Sequence, residues 1–277
     1  MKRSYVPDEF IRAAGHLFII GGGHRPGYLM KEFIRLSGGS DSRITILPLA
    51  SCTPESTGER IKNELLHLGC TDVNYISPVN NKMDDKLNLE KLQSTKGIFF
   101  SGGDQNILAK YLHGTKTLDK IIEIYHNGGV IGGTSAGAAI MSKVMIAGSD
   151  PDEDYDLVGL SPQTNIKRNA VLSEGFGFLK NIIIDQHFNT RNRIDRLKDA
   201  IRKHPEMLGV GIDESTAIIV HTDNTFRVIG ENKVSLFSLY DFGLIQKIDK
   251  EIEMLNSGRI HTIEPGERYL FDSYGKN

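Results

Sequence analysis

VIGGTSAGAAIM, residues 130–141, runs an apolar segment into two glycines, a threonine and a serine, then into four residues no larger than alanine. A plain strand does not carry that much glycine, and an ordinary turn draws more freely on Asn and Pro. Small residues on both sides of one polar residue are expected where a strand bends sharply into a helix and the two pass close together. The stretch therefore reads as strand, tight turn and a helix opening within AGAAIMSKV.

Working outward, the same alternation recurs. HLFIIGG (16–22), RITILPLA (43–50), DVNYISPV (72–79), GIFFSGG (97–103), GVIGGTS (129–135), NIIIDQHF (181–188) and VGIDESTAIIV (210–220) are predicted strands. Several are almost continuously apolar, as in a sheet covered on both faces. Between them, GYLMKEFIRLSG, PESTGERIKNELLHLG, NILAKYLHG and TLDKIIEIYHNGG show helical spacing and end at glycine. Strand–helix alternation of this kind predicts an α/β fold with right-handed crossovers, a mostly parallel sheet and helices in layers on either side. The stretch 215–239, with two turn signals, reads as antiparallel strands added to that sheet. No linker or repeat divides the chain, so 1–277 is expected to be one domain.

The 277 residues are 39% hydrophobic and 25% charged, with a formal net charge of −2. That balance carries no nucleic-acid footprint. No apolar run is long enough to span a membrane. The N-terminal segment is broken by Asp8, Glu9 and Arg12 and makes a poor signal peptide, so a cytoplasmic location is expected. Cys52 and Cys70 have no partner cluster. Reduced, packing cysteines are expected rather than a disulfide framework or a zinc site.

Gly133-Thr134-Ser135-Ala136-Gly137 fits G-x-S-x-G at a strand end, the setting in which that pattern marks a nucleophile elbow. A serine nucleophile needs a base. Of nine histidines, His187 stands apart, because it lies at the C-terminal end of a predicted strand, where open α/β sheets place their sites. Arg191, Arg193 and Arg196 follow it and could fork onto substrate carboxylates. GIDESTA offers Asp213 or Glu214 to orient the imidazole; read as extended chain, the two point to opposite faces, so only one can reach it. In SGGDQN (101–106), Gly102 and Gly103 would let amides approach a ligand, and Asp104 or Asn106 could cap the next helix. GGGHRPG (21–27) fails the dinucleotide fingerprint, since position 26 is proline.

Taken in order, GGDQ, GGTSAGAAIMS, DQHFxxRxRxxRL and GIDESTA closely resemble the cyanophycinases, over roughly residues 16–220. These are serine peptidases of the family that also contains aspartyl dipeptidase. The resemblance implies a flavodoxin-like sheet related to class I glutamine amidotransferases. It also implies Ser135 as nucleophile, His187 as base, Glu214 as acid, and the amides of Gly103 and Ala136 as oxyanion hole. Gln105, Asp185, Gln186, Arg191, Arg193 and Arg196 match the family's pocket motifs. The implied substrate is cyanophycin, a polyaspartate backbone with arginine on each β-carboxyl, cleaved to β-Asp-Arg dipeptides without cofactor or metal. A homodimer is also implied. An aspartyl or isoaspartyl dipeptidase, or a non-catalytic binding protein on the same fold, is the alternative. The acidic stretch SDPDEDYD (149–156) is a solvated loop or a lining for substrate guanidinium groups.

Overall fold

The computed structural model describes residues 14–78, 82–149, 169–223, 225–246 and 252–272. The acidic stretch beyond Ser149 and the N-terminal segment lie outside them.

The first half of the chain alternates as expected. It runs β1 (His16–Ile20), α1 (Gly27–Leu36), β2 (Arg43–Leu47), α2 (Pro54–His67), β3 (Val73–Tyr75), α3 (Lys86–Lys91), β4 (Thr95–Phe100), α4 (Gln105–Leu112), α5 (Lys116–His126) and β5 (Val130–Thr134). The five strands pair in parallel in the order β1-β5-β4-β2-β3. Their apolar residues alternate between two cores. Phe18, Ile20, Ile46 and Phe99 share a core with α1 and α2, while Leu17, Ile19, Ile98 and Phe100 belong to the core on the other face, which includes α4 and α5. A sheet buried on both sides explains why these strands read as unbroken apolar runs.

After β5 the chain makes one helical turn, α6 (Ala136–Ala139), shorter than the small-residue run suggests. Tertiary bonds take over from the helix. Lys143 N–H donates to Leu179, Phe176 N–H to Ile140 and Leu179 N–H to Met141. There follow β6 (Val144–Ser149), β7 (Ala170–Glu174), β8 (Ile182–Gln186), α7 (Ile194–Lys203), β9 (Leu208–Ile212), β10 (Thr216–Val220), β11 (Thr225–Gly230), β12 (Val234–Phe237), β13 (Phe242–Gln246), β14 (Ile252–Leu255), β15 (Ile260–Ile263) and β16 (Arg268–Asp272).

Two expectations need correction here. VGIDESTAIIV is not one strand: it breaks at Asp213–Ser215, where Ser215 adopts φ 54°, and its halves join different sheets. β10 lies antiparallel beside β1 and extends the main sheet through β11, β16, β13 and β14. β9 pairs with β8 and β12 in a separate four-stranded sheet, so β12 is not part of the main sheet. That second sheet lays Ile182, Ile184, Val210 and Leu236 against the main sheet and Ile183 against α7. The fold is therefore α/β, with a parallel central sheet and antiparallel strands added beside it and over it. Cys70 is buried and Cys52 exposed, and both are free thiols.

Candidate active site

Glycine is demanded at the bend after β5 by close approach. A Cβ at Gly133 would lie 2.3 Å from the Gly137 carbonyl oxygen, and one at Gly137 would lie 2.4 Å from the Phe100 carbonyl oxygen. Ser135 takes φ 53°, ψ −110°, a conformation rare for a side-chain-bearing residue, held by the hydrogen bond that its N–H donates to the Ile20 carbonyl of β1. Its hydroxyl is thereby turned out at the C-terminal end of the sheet.

Two more non-glycine residues with positive φ belong to the same place: His187 (50°), just past β8, and Ser215 (54°), just past Glu214. Strain gathered at one point marks a surrounding structure that over-determines it. His187 Nε2 lies 2.9 Å from Ser135 Oγ, and His187 Nδ1 lies 2.5 Å from Glu214 Oε1. The partners define the tautomer: Nδ1–H donates to the carboxylate and Nε2 accepts from the hydroxyl. Burial holds the imidazole pKa below its usual 6.5; the Glu214 hydrogen bond opposes this, and the charges of Arg191 and Arg193 add to it. The ring is thus neutral at neutral pH and able to take a proton.

Asp213 does not compete for the histidine. Its carboxylate accepts the Asn189 amide at 3.0 Å and so secures the chain just beyond His187. The two acids reach different targets because the segment turns there, rather than because an extended strand alternates faces.

The GGG run is the feature sequence reading undervalued. Gly21 carbonyl accepts the His187 amide at 2.7 Å, and Gly22 carbonyl accepts the Ser215 amide at 3.0 Å. A Cβ on Gly22 would lie 2.4 Å from His187 Cε1, and one on Gly23 would lie 2.8 Å from Glu214 Cβ. The loop after β1 is the bed on which base and acid rest. Its signal was present as three consecutive glycines at a strand end, but without a ligand fingerprint to read it by.

SGGDQN lies on the other side of the serine. A Cβ at Gly102 would sit 3.4 Å from Ser135 Cβ. Gly103, at φ 137°, presses against Ala50 so closely that a Cβ would meet its carbonyl oxygen at 1.9 Å. Among the described residues, no backbone carbonyl accepts the amide of Gly103 or Ala136. Asp104 caps α4 by accepting the Asn106 amide at 2.8 Å. Gln105 and Asn106 donate to the Ile146 and Ala147 carbonyls, both at 2.7 Å, and dock β6 at the rim.

A cleft of about 950 Å³ opens over Ser135 and His187. Among the described residues, its ionisable lining apart from His187 is five arginines (Arg25, Arg60, Arg191, Arg193 and Arg196) and one carboxylate, Asp104. The pocket-motif residues do not all have the place expected of them. Asp185 does not line the cleft. It is buried beneath it in a forked pair with Arg196, which has little of its side chain exposed. Arg196 therefore lines the cleft with its Nε and Nη2 turned to Asp185. Arg193 Nη1 donates to Gln186 through its carbonyl and its Oε1, both at 2.7 Å. Arg191 is the exposed member of the three. Burying charges requires such pairing, so the network supports the cleft floor.

Fold and site define a serine-dependent hydrolase of the peptidase class. A profile of Peptidase family S51 matches residues 17–229, and the chain belongs to that family. It is 32% identical over 272 residues to the cyanophycinase of Geminocystis herdmanii, covering 94% of each chain. It is 31% identical over 265 residues to that of Synechococcus elongatus, covering 92% of this chain and 79% of the other. A peptidase E of Nostoc is 26% identical over 212 residues, covering 76% of this chain and 81% of the other. The solved structure of a peptidase from an acI-B1 Actinobacterium shares the fold, with a TM-score of 0.61 at 21% identity, covering 91% of this chain and 98% of that one.

Proposed function

We propose that this peptidase hydrolyses cyanophycin, releasing β-Asp-Arg dipeptides through an acyl-enzyme. The observation that carries the reading is the hydrogen-bonded series Ser135–His187–Glu214 opening into an arginine-lined cleft. Ser135 Oγ attacks the scissile carbonyl while His187 Nε2 takes its proton. Glu214 steadies the imidazolium at Nδ1, and the amides of Gly103 and Ala136 receive the oxyanion. His187 then returns the proton to the leaving amine, and water, activated by the same ring, hydrolyses the ester. Each arginine of the polymer keeps a free α-carboxylate, and the positive cleft suits a chain bearing such groups at every residue. The likeness to two cyanophycinases over nearly the whole chain supports the same substrate.

Incubation with insoluble cyanophycin, followed by mass analysis of the soluble products, tests this. Wild type yields β-Asp-Arg, and Ser135→Ala lowers the rate by about a millionfold. Cleavage of Asp-X dipeptides with none of the polymer would overturn the substrate and favour the peptidase E-like activity.

A further inference from the structure

The cleft has two walls, built on opposite faces of the main sheet. One carries Arg191 and Arg193, in the loop from β8 to α7. The other is the α2 side, since Ile61 and Leu65 of α2 pack on the face shared with α1, away from β8. The pocket motifs touch only the first wall.

The second wall also carries charge. Arg25 and Arg60 both line the cleft and share one carboxylate, Glu64. Arg25 makes the close pair with it, beneath the surface and over the Phe99 ring. Arg60 stands 3.9 Å from the same carboxylate with 61% of its side chain exposed. Two guanidinium groups against one carboxylate leave this wall with a net positive charge. Among the described residues no acceptor meets the buried Arg25 Nε, an uncommon state for a buried N–H. Ser51 and Thr57, hydrogen-bonded at 2.7 Å, add hydroxyls to the same lining.

We infer that Arg60, backed by Arg25 and flanked by Ser51 and Thr57, forms a second carboxylate-binding subsite on the α2 wall. The ligand is then an oligomer with free carboxylates reaching both walls of the cleft, rather than a single dipeptide. This deepens the proposed function and rests on its reading of the cleft as the substrate site. Arg60 acts in specificity: it holds substrate and takes no part in proton transfer.

The test uses full-length Ser135→Ala protein, which cannot consume its ligand, and calorimetric titration at low salt, where exposed charges are least screened. The probes are a (β-Asp-Arg)₃ oligomer with free arginyl carboxylates, the same oligomer amidated at those carboxylates, and tetra-aspartate. Adding Arg60→Gln weakens the free oligomer and tetra-aspartate by about fivefold to tenfold and leaves the amidated oligomer unaffected. Arg60→Lys recovers part of the loss. Lys96→Gln, the same charge change at the far end of β4, has no effect. Equal affinity of the Arg60→Gln protein and its parent for both acidic probes would overturn the subsite, as would an equal loss for the amidated oligomer. Failure of the parent to bind the oligomer, with Arg60-dependent binding of tetra-aspartate, would overturn the cyanophycin reading and uphold the subsite.

Discussion

Replacing Gly22 by alanine places one methyl group against the imidazole of His187 and removes no hydrogen-bonding side chain. The new Cβ would stand 2.4 Å from Cε1, 2.5 Å from Nε2 and 2.9 Å from Nδ1. Restoring ordinary contact near 3.4 Å requires a retreat of about 1 Å, from a ring held at both nitrogens, at 2.5 Å and 2.9 Å. Misplacement on that scale costs about a hundredfold in rate. The backbone adds its own penalty, since Gly22 has φ 120°, a region that side-chain-bearing residues enter at about 1–3 kcal/mol. Gly69 separates the two effects. It has φ 104° and nothing within 4 Å of a built Cβ, so Gly69→Ala carries the backbone penalty alone. Both variants should melt several degrees below wild type. Only Gly22→Ala should lose about a hundredfold in kcat/KM on cyanophycin and in the rate of Ser135 labelling by a serine-directed phosphonate. Labelling is an independent readout that needs no peptide substrate. Wild-type labelling by folded Gly22→Ala would refute the claim that the glycine loop is the bed of the base.

Two further outcomes concern protons. His187 must be neutral to act as base and its pKa lies below 6.5, so kcat/KM should hold through pH 6.5 on the way down and fall at lower pH. Arg191→Gln removes a charge that disfavours the imidazolium, so the acid limb should move to higher pH; an unmoved limb would contradict the assignment. Away from the site, His16 and His221 pack edge to face, with centroids 5.2 Å apart, and burial followed by the His16 charge pushes the His221 pKa down to about 4. An unfolded chain takes this proton near pH 6.5 and the native one resists until about 4, so stability is intact above 6.5 and is lost as pH falls across that window. The shift bounds the loss at about 3 kcal/mol, and partial exposure brings it to about 1–2 kcal/mol. Denaturant titrations at pH 7 and 4.5 should show a smaller difference for His221→Phe than for wild type; equal differences would sink the explanation.

Much of the site was legible because its signals are local. G-x-S-x-G marks a steric requirement that five adjacent residues meet among themselves, and His187 ends a strand whose apolar run is plain. The spacing alone left Asp213 and Glu214 open, and only the family resemblance pointed to Glu214, because their roles depend on a turn between two sheets that looks like continuous strand. The ion pair of Arg196 with Asp185 was hidden for a related reason. A guanidinium in a basic run looks available until the buried carboxylate beneath it is seen.

The sequence by itself determined the alternation of strands and helices and the bend that presents Ser135, since periodicity and side-chain size act over a few residues. Only the tertiary structure decided which strands share a sheet. With that, it decided that the loop after β1 would underlie a histidine and a glutamate from far along the chain, and that α2 would close the cleft with Arg60. The contacts of the β1 loop reach up to 191 residues along the chain, and they follow from strand order. Strand order is selected by the joint burial of many apolar faces, which no single stretch of sequence encodes.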